Sequence, residues 1–402
     1  MTEPRSDRVR VSGPLSVFAD GYSVDLAEQG YLPASVRAHL GLLGQLSRWM
    51  ADVGLVVDVL SPSSVERFLT ERRHRGYVSS LSLAKLRPLL GYLERLGVVR
   101  VAAPVVGNEV DRLIEEFREY LANERGLVPG SVILYVRVAR RFLEERPRPI
   151  ADDMVGLSGV EVNAFVVRES TRVAVRTVET VVCALRALLR FLHVHGWTTV
   201  PLAAAVPSVA QRREDLPRAI PAEHLTALVD SCDRSTPVGC RDHTMLMLLT
   251  RLGLRCGEVA GLTLDDLDWR AGELVVHGKR SRIDRLPLPC DIGEALADYL
   301  RRARPPGFGR TVFLRSQAPI GPLSGDAVSE VVLRAGGRAG IDPVRAHRLR
   351  HTVATELLRH GAGLVEIGQV LRHQSVDVTA VYAKVDRSAL SQLALPWPGG
   401  ES

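Results

Sequence analysis

Arg255, Lys279, His347, Arg350, His373 and Tyr382 follow one another through the last third of the chain. Two arginines, a lysine and two histidines suit gripping a phosphodiester and moving protons on and off its oxygens. A tyrosine hydroxyl among them can attack the phosphorus. The sequence has no cluster of carboxylates of the kind that holds magnesium for phosphoryl transfer. These residues predict DNA strand transfer through a covalent phosphotyrosine, without a metal or any other cofactor.

Local patterns say what must position them. Helical periodicity covers AEHLTALVDSC, then RDHTMLMLLTRLG, which ends near Gly253, then the short GEVAGL after Arg255. Glu258 lies one turn beyond Arg255. Glu273–His277 and Ile283–Leu288 read as strands around a polar turn from Gly278 to Arg282 that carries Lys279, Arg280 and Arg282. EALADYLRRARP, DAVSEVVLRAGGRAG, RLRHTVATELLRHG and LVEIGQVLRH continue as helices. His347 precedes Arg350 by three residues on one of them, so the two share a face. The expected architecture is mainly α, with a small antiparallel sheet in residues 221–395.

Residues 1–205 carry a helical pattern twice. Gly30-Tyr-Leu-Pro-Ala-Ser-Val36 matches Gly126-Leu-Val-Pro-Gly-Ser-Val132, and each leads into an amphipathic stretch. Leu60-Ser61 with Phe68 corresponds to Leu157-Ser158 with Phe165. AKLRPLLGYLERLG corresponds to CALRALLRFLHVHG, each ending on a glycine suited to a helix C-terminus. Four elements in the same order at nearly constant offset predict a duplicated unit, at 14–104 and 107–205. The proline-rich, charged segment PSVAQRREDLPRAIP then reads as a linker, set at 206–220.

Composition narrows the class. The 402 residues suffice for two or three domains, and 46% hydrophobic with 24% charged residues is ordinary for a globular protein. No apolar run approaches the roughly 18 residues of a membrane span, and the polar N-terminus has no signal-peptide core. The cytoplasm is the expected location. A net charge of +6 permits a polyanionic partner without requiring one. Five cysteines without zinc spacing read as reduced, mostly buried side chains. Only Lys85, Lys279 and Lys384 among 52 basic residues are lysine. Lysine can release a proton, whereas arginine stays charged, so this rarity draws attention to each lysine that remains.

LTRLGLRCGEVAGLTLDDLDW resembles the first arginine box of the tyrosine recombinases, the family that includes the Xer recombinases, Cre and lambda integrase. HRLRHTVATELLRHGAGLVEIGQVLRHQSVDVTAVYAKV is similar to its second box, HxxR…H…Y. The likeness covers residues 215–390, and the second helical unit resembles the family's core-binding domain. It implies a DNA-binding helical module at 107–205 and a catalytic domain at 221–395.

The resemblance also implies a role for each residue. Arg255 and Arg350 grip the scissile phosphate, and His347 accepts the tyrosine proton. His373 donates to a non-bridging oxygen, and Tyr382 is the nucleophile. Lys279 on the hairpin protonates the departing 5′ oxygen, and Glu258 orients a neighbouring arginine or histidine. Arg280 and Arg282, as basic residues of the hairpin turn, are expected to contact DNA phosphates generally. The implied partners are a double-stranded recombination site, further copies forming a tetramer on it, and accessory or sister recombinases, with no membrane. Two departures stand out. Arg372 replaces the glycine common before the second histidine, expected to add a phosphate contact or alter the turn, and Cys256-Gly257 follows the first arginine.

Three other readings are weaker. His347 and His351 share a helical face as zinc ligands do, but Arg348 stands where a metalloprotease needs glutamate, and Arg350 would repel the ion. A type IB topoisomerase shares the chemistry, but the doubled N-terminal units and Xer-like spacing argue against it. A catalytically silent DNA-binding accessory protein would not need all six residues.

Overall fold

The computed structural model describes residues 9–99, 108–208, 219–278, 282–341 and 343–372. Within them the protein is mainly α-helical with one three-stranded antiparallel sheet. Two compact units divide the chain. One comprises Met1–Gly54, Ala84–Tyr92 and Glu214–Ser402, and the other Leu55–Leu83 and Leu93–Arg213. Residues of the 14–104 stretch fall in both units. Within the first unit the Ile320 N–H donates to the Gln29 carbonyl at 2.8 Å, a long-range bond that helical periodicity does not encode.

The N-terminal helices are α1 (Ala19–Glu28), α2 (Pro33–Asp52), α3 (Pro62–His74) and α4 (Leu83–Arg95). They are followed by α5 (Glu109–Glu119), α6 (Pro129–Glu144), α7 (Ile150–Gly156), α8 (Gly159–Arg172) and α9 (Val175–Val194). The caps repeat as the sequence pattern does. α2 and α6 each begin with proline after an extended residue, Leu32 or Val128, where the missing N–H costs nothing. Ser61 and Ser158 cap α3 and α8 by accepting from Ser64 and Glu161 backbone N–H groups. Gly97 and Gly196 adopt positive φ after α4 and α9, a conformation that costs glycine little. Phe117, Phe142, Phe165 and Phe191 are fully buried in the core of α5–α9, with Phe142 and Phe165 edge to face at 5.1 Å.

The remaining elements are α10 (Ala222–Asp230), α11 (Pro237–Arg251), α12 (Cys256–Gly261), β1 (Leu267–Asp268), β2 (Glu273–His277), β3 (Ile283–Pro287) and α13 (Cys290–Arg302). They end with α14 (Gly325–Arg338), α15 (Ala346–Arg359) and α16 (Leu364–Val370). β2 pairs with β3 from Glu273↔Pro287 to His277↔Ile283, and β1 adds a short edge that the sequence pattern does not reveal. Alternation along β2 turns Leu274 and Val276 into the core with Leu246, Leu249, Tyr299, Phe313 and Leu349. α11 touches α10, α12, α13, α14 and α15, so it is the spine of this core.

The linker is shorter than its predicted bounds. Val206 is buried with the α5–α9 core, while Ile220 belongs to the second core and donates its N–H to Thr352 Oγ at 3.0 Å. Residues 209–218 lie outside the described residues. The expectation of mostly buried cysteines also needs correction. All five are free, but only Cys232 and Cys240 are buried, whereas Cys183 and Cys290 are exposed. Cys183 lies on the outer face of α9 and Cys290 at the solvent-facing start of α13, where a thiol displaces no core contact. No described helix is long and apolar enough to cross a membrane.

Candidate active site

Arg255 is the N-cap of α12, extended at φ −78° and ψ 151°, and Glu258 is the third residue of that helix. The Glu258 carboxylate folds back to accept from the Arg255 backbone N–H at 2.8 Å and from its Nη1 at 2.5 Å. One side chain thus satisfies an orphan donor at the helix start and fixes the arginine fork. The other Arg255 nitrogen, Nη2, donates to the Arg372 carbonyl at 3.2 Å. Burial alone would raise the Glu258 pKa, but the Arg255 N–H and the Arg372 and Arg255 guanidinium groups hold it below the ordinary value.

Arg350 comes from α15 and is buried. Its Nη1 donates to the Gly253 carbonyl at 2.6 Å and its Nη2 to the Leu371 carbonyl. The two arginines therefore converge on consecutive carbonyls, 371 and 372, just beyond α16. Glycine suits position 253 for two reasons. Its φ is +58°, and a Cβ there would come within 2.8 Å of Leu371 Cδ2.

Arg372 lies on the same turn with φ +55°, a left-handed conformation that costs a non-glycine residue about 1 kcal/mol. Its side chain does not point outward to add a phosphate contact. It is 3% exposed and its Nη2 meets Glu258 Oε2 at 2.9 Å. The glycine-like turn is kept, and the added guanidinium is turned inward because Glu258 has an acceptor left to offer. Periodicity could not have found this ion pair; the only sequence signal was a charged residue where a glycine was expected.

His347 is exposed one turn before Arg350, its ring edge to face with His351 at 4.3 Å. Burial, then His347, then Arg350 lower the His351 pKa from 6.5 to about 4. His351 is thus neutral in the folded protein at neutral pH. As pH falls below 6.5 the unfolded chain binds the proton first, so stability is lost between pH 6.5 and about 4. At pH 5 this amounts to at most about 2 kcal/mol, or about 4–8 °C in a domain of this size, before solvent screening of the partly exposed ring reduces it. His351→Gln should flatten the fall of melting temperature from pH 7 to pH 5 by about that much. Parallel curves for parent and variant would remove His351 from the acid response.

The hairpin base is tied down at both edges. His277 Nε2 lies 2.8 Å from Asp266 Oδ1, while the other oxygen of Asp266 accepts from the Thr263 N–H and hydroxyl. The Gly278 N–H donates to the Arg282 carbonyl at 2.7 Å, closing the strand pair, and Arg282 is ion-paired with Asp284 at 2.9 Å. Lys279, Arg280, His373 and Tyr382 lie outside the described residues. Arg255, Glu258 and Arg350 are brought to one place; His347 shares a helix with Arg350. Among the described residues no three His, Cys, Asp or Glu side chains cluster as a metal site.

Comparison with known proteins places this arrangement. The description "Phage integrase family" matches residues 218–388. A relative in Sinorhizobium fredii (strain NBRC 101917 / NGR234), provisionally named integrase/recombinase y4rA, is 39% identical over 96% of this chain and 95% of its own. The tyrosine recombinase XerD of Mycobacterium tuberculosis (strain ATCC 25618 / H37Rv) is 30% identical over 71% of this chain and 96% of its own. Among solved structures, a post-cleavage complex of the XerH site-specific recombinase matches with a TM-score of 0.54 and 16% identity over 98% of each chain. A lambda integrase (75–356) dimer on a core site matches with a TM-score of 0.53 and 20% identity, over 72% of this chain and 98% of its own. The agreement in fold and sequence has one conclusion: the chain belongs to the tyrosine recombinase, or phage integrase, family.

Proposed function

We propose that this chain is a site-specific DNA recombinase or integrase that breaks and rejoins double-stranded DNA through a 3′-phosphotyrosyl intermediate. The observation that carries this reading is the convergence of Arg255 and Arg350 on the turn at Leu371 and Arg372, immediately ahead of His373. Two guanidinium forks at one turn suit a single phosphate, whose non-bridging oxygens take the place of the backbone carbonyls. The positive charge is then set where negative charge grows as phosphorus becomes five-coordinate.

Each step balances. The Tyr382 hydroxyl attacks phosphorus, forming a P–O bond to the phenol, and its proton passes to His347. The bond from phosphorus to the 5′ oxygen breaks, and Lys279 supplies the proton that leaves a 5′ hydroxyl. His373 donates a hydrogen bond to a non-bridging oxygen throughout. A 5′ hydroxyl from a partner strand then attacks the phosphotyrosine and gives its proton to Lys279, while the proton held by His347 returns to Tyr382 as its bond to phosphorus breaks. The number of phosphodiester bonds is unchanged, so no ATP, metal or other cofactor is required. Glu258 holds Arg255 in position, and Arg280 and Arg282 meet the DNA backbone at the hairpin tip.

Exchange between two duplexes requires four cleavages, hence a tetramer on DNA. A lambda integrase tetramer on a Holliday junction is a structural neighbour with a TM-score of 0.54. Residues 107–205 act as the core-binding module, joined to the catalytic domain by the linker, and 14–104 supply a further helical module. Sister or accessory recombinases are compatible partners, and the cytoplasm is the proposed site of action.

The test is a covalent adduct. Incubated with a nicked recombination site in excess EDTA, the protein should form a protein–DNA species that survives SDS. Adduct formation that stops in EDTA and returns with magnesium or zinc would replace this mechanism by a metal-dependent one.

A further inference from the structure

We infer that Arg372 is a positioning residue that preserves the positive charge of Arg255 by sharing its carboxylate partner, Glu258. The inference rests on the recombinase reading for what that charge is used on. Its geometry is independent of that reading.

Glu258 is nearly inaccessible to water and carries one negative charge. Its Oε1 meets Arg255 Nη1, while its Oε2 accepts from both the Arg255 N–H and Arg372 Nη2. With Arg255 alone, the buried pair would be neutral, and a phosphate would meet a guanidinium already compensated. Adding Arg372 makes a chain of two cations about one anion, with net charge +1. In a low-dielectric setting that surplus is felt strongly at the partly exposed end, Arg255. Arg372 itself is shielded, so the surplus is presented only through Arg255.

The surroundings agree. Arg372 Nη1 donates to the Val370 carbonyl at 3.0 Å, and its own carbonyl accepts from Arg255. The residue thus clasps α16, α12 and the turn before His373 together. Asp284 on β3 also acts on Arg372 electrostatically, but it is ion-paired with Arg282 and so leaves the surplus unchanged. A left-handed backbone at Arg372 is the conformation glycine would adopt without strain. The arginine is held there by its side chain, which places its role in the guanidinium and not in the turn.

Charge sharing makes a prediction that simple packing does not. Arg372→Gly should relieve the backbone and leave Glu258 paired with Arg255, so folding and DNA affinity should stay close to the parent. Its single-turnover adduct formation on nicked DNA should fall about tenfold, the size of coupling expected within one ion network. Arg372→Lys should recover most of the rate by restoring the cation. Glu258→Gln placed in the Arg372→Gly background should also raise the rate, because the carboxylate that neutralises Arg255 is gone.

An Arg372→Gly protein that reacts at the parental rate, a lysine variant no better than glycine, or a double variant no faster than Arg372→Gly would each overturn the assignment. Thermal stabilisation by inorganic sulfate provides a second readout without turnover, compared between variants at one concentration. Arg372→Gly should lose part of the parental stabilisation and Arg372→Lys regain it; equal stabilisation in all three would also overturn the assignment. Parent protein that forms no adduct yet shows this sulfate pattern would reject the recombinase reading and leave the charge sharing standing.

Discussion

Tyr382→Phe is expected to abolish the covalent protein–DNA adduct while binding the same site with nearly parental affinity. The substitution removes one oxygen and keeps the ring, so the packing of the side chain changes little. In the proposed mechanism that oxygen is the atom that bonds to phosphorus. A phenol with an ordinary pKa near 10 is a weak nucleophile, and it becomes competent only where a base and a cationic site assist it. The chain has eight tyrosines, and several of the other seven are poor substitutes. Burial pushes the pKa values of Tyr22, Tyr31, Tyr135 and Tyr299 up, and the Tyr299 hydroxyl accepts from the Leu314 N–H inside the core. Adduct yield on a nicked site, read on a denaturing gel, and a binding isotherm on intact DNA at fixed salt separate the two quantities. An adduct persisting in the phenylalanine variant would transfer the nucleophile to another residue.

Much of the frame around this chemistry is legible in the sequence. Amphipathic periods mark α11, α13, α14 and α15, because a helix with one buried face must repeat its apolar residues every three to four positions. Alternation locates β2 with its observed bounds, while β3 stops at Pro287, one residue earlier than the pattern predicts. The two-residue β1 is invisible because so short a strand has no period to read. Glu258, one turn after Arg255, is marked by the family resemblance as orienting a neighbouring arginine or histidine, and its place at the third helical position lets it reach the N-cap. Its second partner is not so marked. Arg372 lies 114 residues further on, and only the fold determines that its left-handed turn faces inward. The division of the N-terminal helices between two units is hidden for the same reason. Periodicity reports that a face is buried, not which element buries it.

Lys279→Arg is expected to depress DNA cleavage by a large factor, about 100-fold or more, while leaving DNA binding almost intact. Arginine keeps the positive charge, so attraction to the phosphate backbone persists, but its proton is not available near neutral pH. The proposed cleavage expels an alkoxide at the 5′ position, and without a proton donor that leaving group is poor. The hairpin bearing Lys279 is suited to hold such a donor. His277 is pinned to Asp266 two residues before it, and Gly278 is hydrogen-bonded to the Arg282 carbonyl across the turn. Acid catalysis needs its donor held close to the leaving oxygen, and these two bonds fix the described residues on either side of the tip. Replacing the bridging 5′ oxygen of the substrate with sulfur supplies a leaving group that needs no proton. The arginine variant should then cleave within a few-fold of the parent, because the missing step is bypassed. Rescue by sulfur with Lys279→Arg, and none with Tyr382→Phe, would assign the acid and the nucleophile separately. A sulfur substrate that leaves the Lys279→Arg defect unchanged would instead make Lys279 a contact that positions the DNA.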